Sequence, residues 1–115
     1  MLDERTLDRI RDLHRRGGPN LLGKMAELYI SSSHALIEDA RAALAAHDAT
    51  AVAQALHAMK SSSASIGATV LADLCERLES AGRQANLGGA QAMLELVLAE
   101  HARVLRALDT LSAAA

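Results

Sequence analysis

Apolar residues recur along this chain at intervals of three and four, the spacing that lines one face of an α-helix. Leu7, Ile10 and Leu13 mark a short first helix from about Asp3 to His14. Its acids come early and Arg15 and Arg16 come late, as the helix dipole prefers. Gly17, Gly18 and Pro19 break the pattern. Asn20 is placed to cap a long second helix running to about Ala46. Its inner face reads Leu21, Met25, Leu28, Ser32, Leu36, Ala40 and Ala43, widened by Leu22, Tyr29 and Leu44.

After "HDAT", with Asp48 or Thr50 as the cap, a third helix spans about residues 50–65 and Gly67 ends it. A fourth helix runs from about Thr69 to Gln84, with Leu71, Leu74, Cys75 and Leu78 inward. "NLGGAQ" turns the chain into a fifth, about Gly89 to Leu111, carrying Met93, Leu94, Val97, Val104, Leu105 and Leu108. Short connections force neighbouring helices to run antiparallel. The expected fold is all-α: residues 1–115 as one domain, an antiparallel four-helix bundle with an additional short N-terminal helix over one end.

Composition agrees with the periodicity. The chain has 115 residues, of which 25 are Ala and 19 are Leu, both strong helix formers. Val and Ile together number 8, and Tyr29 is the sole aromatic among Phe, Trp and Tyr. Net charge is −2 with the signs interspersed. With no basic stripe and almost nothing to stack on bases, nucleic acid is not an expected partner. No apolar run approaches the roughly 18 residues of a membrane span. "MLDERTLDRI" lacks the apolar stretch of a signal peptide. The single cysteine, Cys75, excludes a disulfide framework. A cytoplasmic monomer without direct membrane contact is the expectation.

The candidate chemistry lies in "HAMKSSSASIGA", residues 57–68. On a wheel of about 100° per residue, Val52, Leu56, Met59, Ser63 and Ile66 share one arc, and His57 falls about 140° from Val52, outside it. Its same-face neighbours Ala53 and Ser61 are small, so a partner's active site can approach the ring. Lys60, at i+3, can reach whatever the imidazole carries. A neutral imidazole nitrogen attacks phosphorus to form a phosphoramidate, and a nearby cation stabilises the anionic group in flight. No acid stands at i±3 or i±4 of His57, so acid–base chemistry fits less well. Spacing alone leaves a plain solvated helix face open.

The longer string "ALHAMKSSSASIGATVLADLCERLE", residues 55–79, resembles the core motif of histidine-containing phosphotransfer (HPt) domains. That motif is roughly His-x-Leu-Lys-Gly-Ser, then Gly-Ala, Leu-Ala and Leu-Glu. Here it reads His57, Met59, Lys60, Ser61 and Ser62, then Gly67-Ala68, Leu71-Ala72 and Leu78-Glu79. "LDRIRDLHRRGGPNLLGKMAELYI" and "ALAAHDATAVAQALH" extend the likeness, in the manner of HPt domains at the C-terminal end of bacterial hybrid sensor histidine kinases. Ser61 stands where the family usually has Gly, and Leu28-Tyr29 where it often has Phe; neither removes a reactive group.

The resemblance implies a phosphorelay intermediate in two-component signal transduction. His57 would be the phospho-acceptor, taking a phosphoryl group from a receiver-domain aspartate and passing it to another receiver. Lys60 would give electrostatic support, and Ser61 would be the small flanking position. The domain would have no kinase activity and no cofactor of its own, the Mg²⁺ belonging to the partner receiver (response regulator) domain. It would pair with, or be fused to, a hybrid sensor histidine kinase. Glu79 matches the position from which some relatives orient the imidazole through Nδ1; a solvated helix residue is the other reading. The alternative function is a non-phosphorylated helical adaptor that binds a receiver or kinase.

Elsewhere the readings are structural. His101 lies within the apolar arc of the fifth helix and reads as a partly buried histidine, while His34 lies opposite the second helix's apolar face and reads as solvated. His14 and His47 sit at helix ends, and Cys75 belongs to the core. None of the five histidines has an acid three residues before it, which disfavours a bundle metal site. Ile30 and Ile37, at the edge of the second helix's arc, are either part of a docking surface near His57 or ordinary core-edge residues.

Overall fold

The computed structural model describes residues 2–17 and 21–114, and within them every side chain except those of Ile10, Leu13, His14, Leu22 and residues 111–114. The described residues form five helices and no strand: α1 (Glu4–Gly17), α2 (Leu21–Ala45), α3 (Ala49–Ser65), α4 (Thr69–Arg83) and α5 (Ala90–Ala114). Helix α2 packs on α3, α3 on α4, α4 on α5, and α5 back on α2. The four long helices therefore close into an antiparallel bundle, and with α1 the molecule measures 45 × 22 × 18 Å.

The boundaries have local causes. Asp3 precedes α1 as its cap, its carboxylate accepting from the N–H and hydroxyl of Thr6 at 3.3 and 3.1 Å. Asp48, one of the two expected caps of α3, accepts from the Ala51 N–H at 3.0 Å. Thr50 lies inside that helix. Helix α2 ends with His47 in the left-handed region, φ 54°, and Asp48 N–H closes onto the Ala43 carbonyl. The Gly18-Pro19 break, the Asn20 cap and the inward faces of Ile10, Leu13 and Leu22 lie outside the described residues.

Gly67 ends α3 as its sequence position predicts. Its φ is +79°, and a Cβ there would lie 2.6 Å from Cβ of the buried Thr6. Both features demand glycine. The Asp3 N–H donates to the Gly67 carbonyl at 2.6 Å, so the start of α1 is tied to the α3–α4 turn.

Val52, Leu56, Met59, Leu71, Leu78, Val97 and Val104 are almost wholly buried, each worth about 1.5–3 kcal/mol of apolar transfer. Helices α3, α4 and α5 present the expected residues, with Met93, Leu105 and Leu74 only partly buried. Helix α2 differs. Its N-terminal half is turned by about one residue: Ala26, Tyr29 and Ser33 face inward, Leu28 is 72% exposed, and Ser32 faces solvent. The turned face buries the large Tyr29 ring and gives its hydroxyl a partner, Ser63 Oγ at 2.9 Å. Ile37 is buried core rather than surface, and Ile30 is half-buried.

A buried polar pair joins the same inward face of α2 to α5. His101 Nε2 lies 2.8 Å from Ser33 Oγ, with Tyr29 and His34 rings 6.2 and 5.6 Å from the His101 ring. His34, expected to be merely solvated, packs its ring edge-on against His101 while staying exposed to water. Burial, then the neighbouring His34, pulls the His101 pKa below its usual 6.5.

Candidate functional site

Helix α3 carries His57 and Lys60 on its outer wall, and α4 brings Glu79 against them. The approach of the two helices is set by a residue that sequence reasoning passed over. Gly82 is buried in the α3–α4 contact, and a Cβ on it would lie 2.8 Å from the Ala49 carbonyl oxygen and 2.9 Å from the Ala53 nitrogen. Because both neighbours are backbone atoms, only glycine permits this spacing. Ala53 lies one turn before His57, and Glu79 lies one turn before Gly82. The close contact at one level therefore brings the next level, Glu79 and His57, within hydrogen-bonding range.

The His57 side chain is 56% exposed, while that of Glu79 is 4% exposed. His57 Nδ1 lies 2.9 Å from Glu79 Oε2. Lys60 Nζ lies 2.9 Å from Oε1 of the same carboxylate. The Arg83 guanidinium, one turn further along α4, hydrogen-bonds Oε2. The Lys60 contact is an ion pair off the line of a hydrogen bond, and among the described residues Oε1 has no hydrogen-bond partner. One buried carboxylate thus gathers an imidazole, an ammonium and a guanidinium.

Burial alone would push the Glu79 pKa up. Lys60 and His57, then the charge of Arg83, outweigh that and leave it below its usual 4.5. Glu79 is therefore ionised at neutral pH. An ionised carboxylate only accepts hydrogen bonds, so the proton it holds belongs to His57 Nδ1. In the neutral ring the lone pair then sits on Nε2, the nitrogen not turned to Glu79. The arrangement can present one nucleophilic nitrogen on an open surface, with an excess of positive charge beside it.

Ser61 is exposed on the same wall. Its carbonyl accepts from the Ser65 hydroxyl at 3.0 Å, and no hydrogen bond joins its own hydroxyl to the imidazole. Cys75 is fully buried one turn before Glu79, its thiol pushed up to about 12, first by burial and then by the Glu79 charge. Among the described residues no group of three His, Cys, Asp or Glu side chains is placed to hold a metal ion, and no helix is long and apolar enough to cross a membrane.

An exposed helical histidine with a lysine one turn on, in an antiparallel bundle wall, is the arrangement the motif of residues 55–79 implies. The Hpt domain profile matches residues 24–114. The chain is an Hpt domain. Among solved structures it is similar to histidine-containing phosphotransfer protein B (HptB) from Pseudomonas aeruginosa PAO1. The TM-score is 0.89 at 27% identity, covering 99% of this chain and 96% of that one. No curated protein matches it. As an Hpt domain the chain belongs to histidine phosphotransfer in two-component signalling, where such proteins meet receivers and kinases without being kinases themselves.

Of the four site residues named from the sequence, His57, Lys60 and Glu79 converge in this Hpt domain, and Ser61 flanks them without joining the contacts. Arg83 was missed, although its place four residues after Glu79 is a visible i,i+4 pair. Its relevance depends on Glu79 facing α3, which sequence leaves undecided.

Proposed function

We propose that His57 is the phospho-acceptor of this Hpt domain. It takes a phosphoryl group from the aspartate of one receiver domain and hands it to the aspartate of another. The observation that carries the reading is the exposed imidazole whose Nδ1 is engaged by a buried, ionised Glu79. The neutral ring arrives with Nδ1 protonated, and its Nε2 lone pair attacks the phosphorus of the receiver's aspartyl phosphate. As the N–P bond forms, the P–O bond to the aspartate breaks and its electron pair stays on that carboxylate. No proton need move: the product is a phosphorylated imidazolium that keeps its Nδ1–H on Glu79, whose charge balances the new cation. The return step is the reverse of the same displacement.

Lys60 supports the transfer electrostatically, while its own position is maintained by Glu79. Ser61 keeps the approach to His57 open by being small. The domain needs no cofactor; the Mg²⁺ acts in the partner receiver. On this reading residues 1–115 are one Hpt domain, a cytoplasmic monomer that works beside or within a hybrid sensor histidine kinase.

The test is incubation with a receiver carrying radiolabelled aspartyl phosphate. Wild type should take up label that is acid-labile and alkali-stable, and His57→Gln should take up none. Lys60→Ala should be labelled more slowly, by roughly tenfold, the loss of about 1.4 kcal/mol of transition-state stabilisation. Equal labelling of His57→Gln and wild type sinks the assignment. Receiver binding without any labelling of wild type identifies the adaptor instead.

A further inference from the structure

A buried carboxylate bonded to an imidazole does two opposed things. It orients the ring, and it favours the protonated imidazolium, which has no lone pair with which to attack. The second effect works against the proposed role of His57. In this structure the Glu79 carboxylate does not face His57 alone. Lys60 occupies Oε1 at 2.9 Å, and the Arg83 guanidinium shares Oε2 with the imidazole. Among the described residues these are the two cations paired with Glu79, one from α3 and one from α4, and no ion pair reaches Glu79 or His57 from α1, α2 or α5.

We infer that Arg83 is a positioning residue that acts through Glu79. By sharing Oε2 it lowers the negative charge felt by His57, so that the carboxylate orients the ring with less bias towards imidazolium than it would exert alone. Orientation requires only that an oxygen accept the Nδ1–H. Protonation depends on the net charge near the ring, which two cations around one anion reverse. Lys60 shares in this, but it stands one turn from His57 on the same helix and faces the transferred group as well. Arg83 is 64% exposed, bonds only Glu79 among the described residues and lies on the other helix, so its removal isolates the effect. The inference rests on the proposed role of His57 for its consequence, but not for its measurement.

The experiment follows the His57 ring nitrogens by long-range ¹H–¹⁵N spectra of the full unphosphorylated chain across about pH 5 to 9, and in parallel the pH dependence of phosphoryl uptake. In Arg83→Gln the ring should keep its second proton to higher pH than in wild type. Uptake should fall about threefold on the acid side, the scale of one partly exposed ion pair, and return to the wild-type rate on the alkaline side. Arg83→Lys should restore both curves. In a Glu79→Gln background the guanidinium loses the carboxylate that holds it beside the ring, so Arg83→Gln should shift both curves less than it does in the wild-type background. Ring protonation at the same pH in Arg83→Gln and wild type overturns the inference, as does an equal loss of uptake at every pH. If wild type takes up no label at all, the proposed function fails, and the ring titration still decides the part played by Arg83.

Discussion

Tyr29 and Ser63 show how a single side chain sets the phase of a helix. Tyr29 is 4% exposed, and its hydroxyl finds Ser63 Oγ at 2.9 Å inside the bundle. Burial pushes the phenol up to about 12, against the Ser63 hydrogen bond, so it stays neutral and available as a partner. Ser63, placed on the inner arc of α3 from its spacing, is satisfied by that contact. Tyr29→Phe should cost about 1 kcal/mol, because the buried Ser63 hydroxyl loses its cross-helix partner. A urea denaturation midpoint measured beside wild type checks this, and an unchanged midpoint would show that Ser63 finds another partner. The outward direction of His57 was legible because it depends only on residues within two turns. That Leu28 faces water was not, because the competing choice, burial of Tyr29, depends on a hydroxyl 34 positions away.

The pairing of α3 with α4 turns on Gly82. Glycine is a poorer helix former than alanine, by up to about 1 kcal/mol in a helix interior and less in the last turn where Gly82 lies, so propensity alone would favour Gly82→Ala slightly. In the bundle the new methyl would meet the Ala49 carbonyl oxygen and the Ala53 nitrogen at 2.8 and 2.9 Å. Backbone atoms of a helix cannot swing aside, and overpacking of this kind costs about 1–3 kcal/mol, so the clash wins. Gly82→Ala should lower the unfolding midpoint. It should also separate α4 from α3 enough to weaken the Glu79–His57 bond, seen as a mixed Nδ1–H and Nε2–H population in ring ¹⁵N spectra. A more stable protein with a single tautomer would refute the argument. From sequence, Gly82 was one more residue near a helix end, since a close approach involves two helices and the wheel describes one.

The bundle as a whole carries a titratable joint between α2 and α5. His101 is buried beside Ser33, with Tyr29 and His34 of α2 against its ring and its usual pKa of 6.5 lowered by burial and by His34. The neighbouring Glu100 of α5 is paired with Arg103 at 3.0 Å. A base whose folded pKa lies below its unfolded one binds more protons unfolded, so stability rises with pH across that window. The contribution of His101 is complete above about pH 6.5 and is lost as pH falls towards the folded value. Glu79, lowered from 4.5, acts only at more acidic pH. The urea midpoint should therefore drop between about pH 7 and pH 5.5, and His101→Gln should flatten that slope. An equal slope in the variant would place the acid sensitivity elsewhere.

Local chemistry was enough to place the five helices, the Asp48 cap, the Gly67 turn and the outward face of His57. Each depends on neighbours within a few positions: backbone hydrogen bonds four residues apart, side chains three or four apart, a glycine where the chain reverses. The motif of residues 55–79 added the family. The rotation of α2, the His34–His101 contact and the gathering of His57, Lys60 and Arg83 around one carboxylate were decided only in the folded molecule. The four partners of that site come from two helices, and the distance between those helices is set by the missing Cβ of Gly82. A one-dimensional period says which way a side chain leaves its own helix. It says nothing of what another helix places there, and it is that meeting which makes Glu79 a buried, ionised partner of His57.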